Sequence, residues 1–230
     1  MALTVQDVID RVSALLFDAG KVRWTEPELI RHINDAERAI AALKPDATAS
    51  TAAYQLAAGV VQSLPANTIR LIDVHRNLGQ DGATPGAQIF ISEAETLGAY
   101  APNWALAAAS ARVEAFAYDE RDPLHFRVYP PVTGAEAVWV EVTRTALPGE
   151  LAAATDVLAV GGWYFNNVVQ YVMWLALAKD AEFSVLSNAA AAWKAQFDQE
   201  LGQQTQTQLI ASPNAALEGG EMPKTLRGGR

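Results

Sequence analysis

Apolar residues near the N-terminus recur every three or four positions, which is the period of one face of an α-helix. The first run extends from Val5 to Leu16, and Thr4 precedes it in the position of an N-cap. Gly20 supplies the residue type that commonly ends a helix. The sequence therefore predicts an amphipathic helix between Thr4 and Gly20.

A second amphipathic helix is predicted from Thr25 to Leu43. Thr25 and Glu28 have the spacing of a capping box, and Pro45 stops the pattern. The expected buried stripe consists of Leu29, Ile30, Ile33, Ala36, Ile40 and Leu43. The charged residues expected to point outward are Glu28, Arg31, Asp35 and Arg38. We interpret this segment as scaffold and not as an active site.

The hydrophobic period changes to that of β-strands in the middle of the chain, at residues 52–148. Four segments rich in β-branched and aromatic residues are separated by turn residues: TIRLIDVHRNL, VEAFAYDE, LHFRVYPP and AVWVEVTRTAL. In the last segment, Val138, Val140 and Val142 alternate with residues of the opposite face, which is typical of a half-buried antiparallel strand. The turn between two of these strands is DERDP, Asp119–Pro123.

Helical periodicity returns after residue 148. The segment from Gly162 to Glu182 is apolar almost all round, which predicts a helix buried on most sides or against a partner. Spacings of three and four predict a further helix through Leu186, Ala190, Trp193, Phe197 and Leu201. Residues 211–230 have no such period and are rich in Gly and Pro, which predicts an extended tail.

Together these patterns predict an α+β protein. The N- and C-terminal helices are expected to form a helical bundle, with a β-rich antiparallel insertion between them and an extended C-terminal tail. The predicted division is 1–51 for an N-terminal helical hairpin, 52–148 for the insertion, 149–210 for a C-terminal helix pair that packs on the first helices, and 211–230 for the tail.

The net charge and the absence of certain residue types exclude several classes of function. The formal net charge is −9 and cysteine is absent, which excludes disulfides and thiolate metal sites. A protein that holds DNA or RNA by its phosphates normally has a basic stripe, and this chain shows none. An acidic wall would instead let DNA pass. No segment has the length and apolarity of a membrane span, and the N-terminus does not resemble a secretory signal, so a reducing cytoplasm is expected.

The sequence contains no recognisable motif for a cofactor, a nucleotide or a metal ion, and we expect none of these to bind. The best acid/base candidate is the cluster of Asp119, Glu120 and Asp122 in the DERDP turn, because paired carboxylates serve glycoside cleavage. Asp before Pro is also common turn chemistry, and we favour that structural interpretation. The histidines, which form no metal-binding pair, are His32, His75 and His125.

Two groups of residues are candidates for contact with a partner protein. Trp163 and Tyr164 lie at the start of the apolar C-terminal helix, where aromatic residues serve either core packing or protein anchoring. The tail is slightly basic while the body is acidic, an asymmetry that suits docking onto a neighbour; an inert terminus is the alternative. The candidate contacts in the tail are Met222, Lys224, Leu226, Arg227 and Arg230.

Three segments together resemble the head-to-tail adaptor (connector) proteins of short-tailed bacteriophages. They are VIDRVSALLFDAGKVRWTEPELIRHINDAERAIAALKPDA, DERDPLHFRVYPPV and VVQYVMWLALAKDAEFSVLSNAAAAWKAQFDQELG. In order, they are similar to that family's paired N-terminal helices with I-N-D-A-x-R, its D-P-x-x-F-x-V-Y-P-P hairpin and its Y-V-x-x-x-A-x-x-K-D-A helix pair. This chain departs from the pattern at His32, where relatives often have Trp.

The resemblance implies a structural virion protein without catalysis, located at the head–tail junction and made in the host cytoplasm. It implies a homo-oligomeric ring, dodecameric in that family, that docks beneath the portal protein and contacts tail or nozzle proteins. Helices would form the ring, the β-rich insertion would face outward or toward the tail, and the C-terminus would reach the portal. Genomic DNA would pass through the lumen without sequence-specific binding, and no membrane would be involved.

Two alternatives to an adaptor remain open from the sequence. One is a phage hydrolytic enzyme that cleaves glycans with the acids near residues 119–122. The other is a different tail-completion protein. Loss of activity in carboxylate variants would favour the first, and the absence of a neighbouring portal gene would favour the second.

Overall fold

The computed structural model describes residues 3–179 and 184–211 and confirms the α+β class. The helices are α1 (Val5–Leu15), α2 (Glu26–Leu43), α3 (Ala94–Tyr100), α4 (Phe165–Ala178) and α5 (Ser184–Ala211). The strands are β1 (Ala49–Gln55), β2 (Gly59–Ser63), β3 (Thr68–Leu78), β4 (Pro85–Gln88), β5 (Phe90–Ile91), β6 (Ala115–Tyr118), β7 (His125–Val132) and β8 (Trp139–Ala146). Short 3₁₀ helices lie at Pro45–Thr48, Trp104–Leu106 and Gly162–Tyr164. Ala211, the first residue of the predicted tail, ends α5, and residues 212–230 lie outside the described residues.

The chain divides into two compact units. The helical unit comprises the described residues of Met1–Ala36, Leu151–Val157 and Trp163–Arg230. The β unit comprises Glu37–Glu150 and Leu158–Gly162 and contains all the strands named above.

The side chain predicted to cap α1 sets its start. The Thr4 hydroxyl accepts a hydrogen bond from the Asp7 N–H, and Asp7 Oδ2 accepts one from the Thr4 N–H at 2.8 Å. This reciprocal pair satisfies N–H groups that have no partner inside the helix. Of the predicted apolar run, Val5, Val8, Ile9 and Val12 are buried, whereas Leu15 and Leu16 at its end are half-buried. The predicted N-terminus and buried face of α1 are therefore confirmed.

The predicted end of α1 at Gly20 is wrong, because the helix already stops at Leu15. Phe17 takes a left-handed conformation with φ 56° and is 97% exposed. The Asp18 carboxylate then accepts three backbone hydrogen bonds, from the N–H groups of Val22, Arg23 and Trp24. The left-handed Phe17 therefore takes the role that glycine was expected to have, and the helix ends before Gly20 is reached.

α2 has nearly the predicted bounds and most of the predicted buried stripe. The buried members of the stripe are Leu29, Ile30, Ile33, Ala36 and Ile40. Leu43 was also expected to be buried, but it is 60% exposed. It is the last residue of α2, and the chain turns there toward the 3₁₀ helix at Pro45–Thr48. The periodic pattern therefore holds until the helix ends.

In the helical unit, α4 packs against both α1 and α5. The Trp24 indole N–H donates to the Ala176 carbonyl at 2.9 Å, which joins the start of α2 to α4. Lys179 Nζ lies 2.8 Å from Glu28 Oε1 at the end of α4. Of the predicted stripe of α5, Ala190, Phe197 and Leu201 are buried, and Leu186 and Trp193 are half-buried. Among the described residues, no helix combines the length and the apolarity that a membrane crossing needs.

The β unit contains two four-stranded sheets, with strand orders β1-β8-β3-β4 and β2-β7-β6-β5. β5 runs parallel to β6, so the second sheet is mixed and not purely antiparallel as predicted. The cause is that α3 and a 3₁₀ helix lie between these two strands along the chain and form a crossover connection. One core cluster takes side chains from both sheets: Leu71, Val74, Phe116, Phe126, Val128, Val138, Val140 and Val142. The two sheets therefore pack face to face.

Candidate functional site

The DERDP turn connects β6 to β7, as predicted, and its own side chains hold it together. Asp119 accepts hydrogen bonds from the Arg121 backbone N–H at 3.0 Å and from Arg121 Nε and Nη2, each at 2.9 Å. The Arg121 side chain, assisted by its backbone N–H, lowers the pKa of Asp119 to about 2. Asp122 Oδ1 lies 2.8 Å from His125 Nδ1. The carboxylates of Asp119 and Asp122 therefore bind groups in the turn or directly next to it.

A shallow cleft of about 490 Å³ lies beside this turn. Four carboxylates line it, together with the guanidinium groups of Arg121 and Arg127; the acids are Glu93, Glu95, Asp119 and Glu120. A glycan-cleaving site needs a general acid whose pKa is raised toward the working pH. Asp119 has the opposite shift, because Arg121 stabilises its ionised form. The geometry therefore supports the structural interpretation of the DERDP turn.

The histidines do not form a metal site. Within residues 3–179 and 184–211, no group of three or more His, Asp or Glu side chains could hold a metal ion. His75 instead joins strands: Nδ1 lies 3.0 Å from Asp73 Oδ2, and Nε2 lies 2.6 Å from Thr143 Oγ1 on β8. His32 is half-buried on α2, and its burial lowers the pKa of the imidazole. His75 and His125 therefore contact neighbouring side chains of the β unit, and His32 lies half-buried on α2.

The first buried polar contact that sequence reasoning missed involves Asn34 on α2. Asn34 is 5% exposed. Its Nδ2 donates to the Leu151 carbonyl at 2.9 Å, and its Oδ1 accepts from the Leu151 N–H at 2.8 Å. The side-chain amide thus pairs with one backbone residue as a neighbouring strand would, which satisfies buried groups that otherwise cost free energy.

The second missed contact involves Glu37, which is fully buried. Its Oε1 accepts hydrogen bonds from the N–H groups of Ala159, at 2.6 Å, and Val160, at 3.1 Å. Burial raises the pKa of the Glu37 carboxyl, and the two N–H groups partly oppose this. Asn34 and Glu37 lie three residues apart within the apolar stripe of α2, and polar residues at stripe positions were the signal that could have revealed them.

Of the predicted partner contacts, Trp163 and Tyr164 lie in the 3₁₀ helix that leads into α4. Trp163 is 87% exposed, whereas Tyr164 is only 5% exposed. Gln204 Nε2 lies 3.4 Å from the Trp163 carbonyl, which joins this segment to α5. Contact with a partner stays a prediction for both residues. The remaining candidates lie outside the described residues: Met222, Lys224, Leu226, Arg227 and Arg230.

Comparison with known families identifies the family of this chain. The model of the family described as SU10 adaptor protein matches residues 3–217, which is nearly the whole chain. The matched range includes the three segments quoted for the resemblance, and it spans both the helical unit and the β unit. No curated protein matches this chain.

Proposed function

Because the chain belongs to the SU10 adaptor protein family, we propose that it is the head-to-tail adaptor of a phage particle. Copies of the chain form a ring, dodecameric as in the adaptors it resembles, that docks on the portal protein and contacts tail or nozzle proteins. The genome leaves the capsid through the lumen of this ring. The family match carries this proposal, since it covers nearly the whole chain.

The proposed ring is built from a helical bundle formed by residues 1–51 and 149–210. The packing of α4 on α1 and α5 supports this arrangement, as do the bond from Trp24 to the Ala176 carbonyl and the ion pair between Lys179 and Glu28. Residues 52–148 form the insertion that faces outward or toward the tail. Residues 211–230 form the tail that reaches the portal, with contacts at Met222, Lys224, Leu226, Arg227 and Arg230.

The charge of the chain supports a channel role. A net charge of −9 makes the ring repel a polyphosphate, so the genome would slide past without being held. In this proposal the adaptor is a structural part of the particle and catalyses no reaction. The low pKa of Asp119 agrees with that view, because a carboxyl that stays ionised is a poor general acid.

Trp163 is the described residue that we propose for the portal contact. An almost fully exposed tryptophan is the type of side chain that dominates protein interfaces once a partner covers it. We expect Trp163→Ala to weaken binding to portal rings about tenfold or more. Leu106→Ala is the matched control, since Leu106 is 85% exposed but lies in the β unit.

The deciding experiment is negative-stain electron microscopy of the protein mixed with portal rings from the same genome. Added density stacked coaxially on one end of the portal is expected, with less occupancy for Trp163→Ala and for a chain truncated after Ala211. Intact portal rings that carry no added density would contradict the proposal. Asp119→Asn, Glu120→Gln and Asp122→Asn would then be assayed for glycan cleavage.

A further inference from the structure

The β unit has an open strand edge on each side. β1 and β2 are the edge strands of the two sheets on one side, and β4 and β5 are the edge strands on the other. The Tyr54 hydroxyl donates to the Ser63 carbonyl, which places β1 beside β2. β4 and β5 are separated along the chain by Ile89 alone. We name these surfaces the 49–63 edge and the 85–91 edge.

The 49–63 edge offers an unblocked strand. β1 pairs with β8 in unbroken register over seven residues. The Leu56 N–H donates to the Val138 carbonyl, so the alternation of an antiparallel ladder directs the backbone groups of Thr51 and Ala53 away from β8. Natural edge strands are usually blunted by a charge, a proline or a bulge. β1, which the structure describes over its whole length, contains none of these.

The two edge segments contain no charged residue of their own, although the chain as a whole is acidic and charged side chains such as Asp122 and Arg127 lie near Val61. No Asp, Glu, Lys or Arg occurs from Ala47 to Ile69, which includes the 49–63 edge, or from Gly82 to Ser92, which includes the 85–91 edge. Copies of a chain with net charge −9 repel one another. Uncharged surfaces are therefore where two copies can approach with the least electrostatic cost.

The 85–91 edge also carries large apolar side chains. Phe90 is 64% exposed and Ile91 is 72% exposed, while Val61 on the other edge is 53% exposed. The N–H groups of Phe90 and Ser92 both donate to carbonyls of the β6 segment, so the backbone of Ile91 points toward the open side. One edge thus presents apolar anchors and the other presents an extended backbone for pairing.

We propose that, in addition to the helical bundle that builds the ring, the 85–91 edge of one copy packs against the 49–63 edge of the next copy, so that neighbouring β units also contact each other. The inference rests on the proposed function, which supplies several copies around one axis. The two edges are different surfaces at opposite ends of the same sheets, so the contact is head-to-tail, and such a contact can be repeated around the axis of a ring. Contact between two identical edges would stop at a dimer.

Engineered cysteines test this contact directly, because the chain has none of its own. The full chain carrying Ala53→Cys and Ile91→Cys is mixed with portal rings, oxidised mildly and run on a non-reducing denaturing gel. We expect a ladder of covalent dimers, trimers and larger species that a reductant collapses. A disulfide requires Cα atoms within about 7 Å, so a short bis-maleimide is used in parallel. Ala53→Cys with Leu106→Cys is the matched control and should give no ladder.

The outcomes distinguish a failure of the edge contact from a failure of portal docking. Stacking on the portal without cross-links between positions 53 and 91 would overturn the edge contact and leave the proposed function standing. A ladder in a protein that does not bind the portal would support the contact while the proposed function fails. Neither stacking nor a ladder would overturn both. Dimers from Ala53→Cys alone would indicate identical edges in contact and overturn the head-to-tail arrangement.

Charge variants test the same contact without cysteine. Thr51→Glu blocks one edge and Ile91→Glu blocks the other, because each places like charge at an interface between acidic copies. Each variant alone is expected to form about tenfold fewer rings than the parent chain. In a mixture of the two, the 85–91 edge of the Thr51→Glu variant can still pack against the 49–63 edge of the Ile91→Glu variant. The remaining edge of each copy is blocked, so the mixture should give dimers. Failure of both variants to reduce ring formation, with thermal unfolding unchanged, would contradict the proposal.

Discussion

The middle of α2, Ile33–Glu37, and the turn Asp119–Pro123 both carry polar residues, but they use them in opposite ways. In α2, Asn34 and Glu37 are buried and bind backbone groups more than one hundred residues away along the chain. In the turn, Asp119 is satisfied by Arg121, two residues away and exposed to solvent. The sequence drew attention to the turn as a candidate site, while two buried polar side chains with distant partners lie in the helix that was interpreted as scaffold.

This difference shows that the density of acidic residues is a weak guide to where polar groups matter. An exposed cluster can exchange its partners for water at little cost. A single buried amide cannot, because removing it leaves the backbone groups that it paired without a partner. Substitutions of polar residues in the two regions should therefore lower the free energy of unfolding by different amounts.

The largest effect is expected from Asn34→Ala. The change leaves the N–H and the carbonyl of Leu151 buried without their partner, which should lower the free energy of unfolding by about 2 to 5 kcal/mol. Urea denaturation at fixed protein concentration measures it. Asn103→Ala is the control, since Asn103 is exposed and its side chain caps no helix. Equal losses for the two variants would remove the contrast between buried and exposed polar groups.

A smaller, pH-dependent effect is expected at Glu37. Burial raises the pKa of its carboxyl in the folded chain, so the folded chain holds this proton more tightly than the unfolded chain. The resulting stabilisation is complete below the ordinary value of 4.5 and is lost as the pH rises through the raised folded-state pKa. The wild type should therefore lose stability relative to Glu37→Gln as the pH rises above the ordinary value of 4.5.

Unfolding free energies of both proteins at several pH values test this prediction. The exposed substitution Glu114→Gln serves as the matched control and should not change the slope. A difference between wild type and Glu37→Gln that stays constant with pH would show that Glu37 keeps an ordinary pKa despite its burial.

The smallest effect is expected from Asp119→Asn. The Arg121 side chain lowers the pKa of Asp119 to about 2 in the folded chain, from an ordinary value of 3.8. Its contribution is present above the ordinary value and is lost as the pH falls through the folded-state pKa. The wild type and Asp119→Asn should thus differ slightly above about pH 4 and converge near about pH 2.

Acid unfolding followed by circular dichroism measures this convergence, with Glu120→Gln as the control from the same turn. A stability loss for Asp119→Asn as large as that for Asn34→Ala would mean that the turn is as important to the fold as the buried amide. The comparison between the two regions would then fail.

Hydrophobic periodicity predicted the helices and strands that have a continuous pattern of apolar residues on one face. The stripe from Leu29 to Ile40 gave α2, and the alternation of Val138, Val140 and Val142 gave β8. Both patterns arise because one face of the element packs in a core, and that requirement is visible in local sequence. The α+β class followed from these patterns.

Elements fixed by tertiary contacts were not predictable in this way. β1, with the sequence ASTAAYQ, lacks the β-branched and aromatic alternation of a strand, and its pairing with β8 across the sheet makes it one. α1 ended early because Phe17 adopts the left-handed conformation that glycine was expected to supply. Asn34 and Glu37 could have been singled out as polar residues on an apolar face, but their partners, Leu151 and Ala159, could not.

Phe17 carries a consequence for protein engineering. Its left-handed backbone costs a non-glycine residue about 1 kcal/mol, and its ring is almost wholly in water, so Phe17→Gly would relieve strain without losing buried contacts. A variant library selected only for heat tolerance would therefore enrich glycine at this position and discard the aromatic ring.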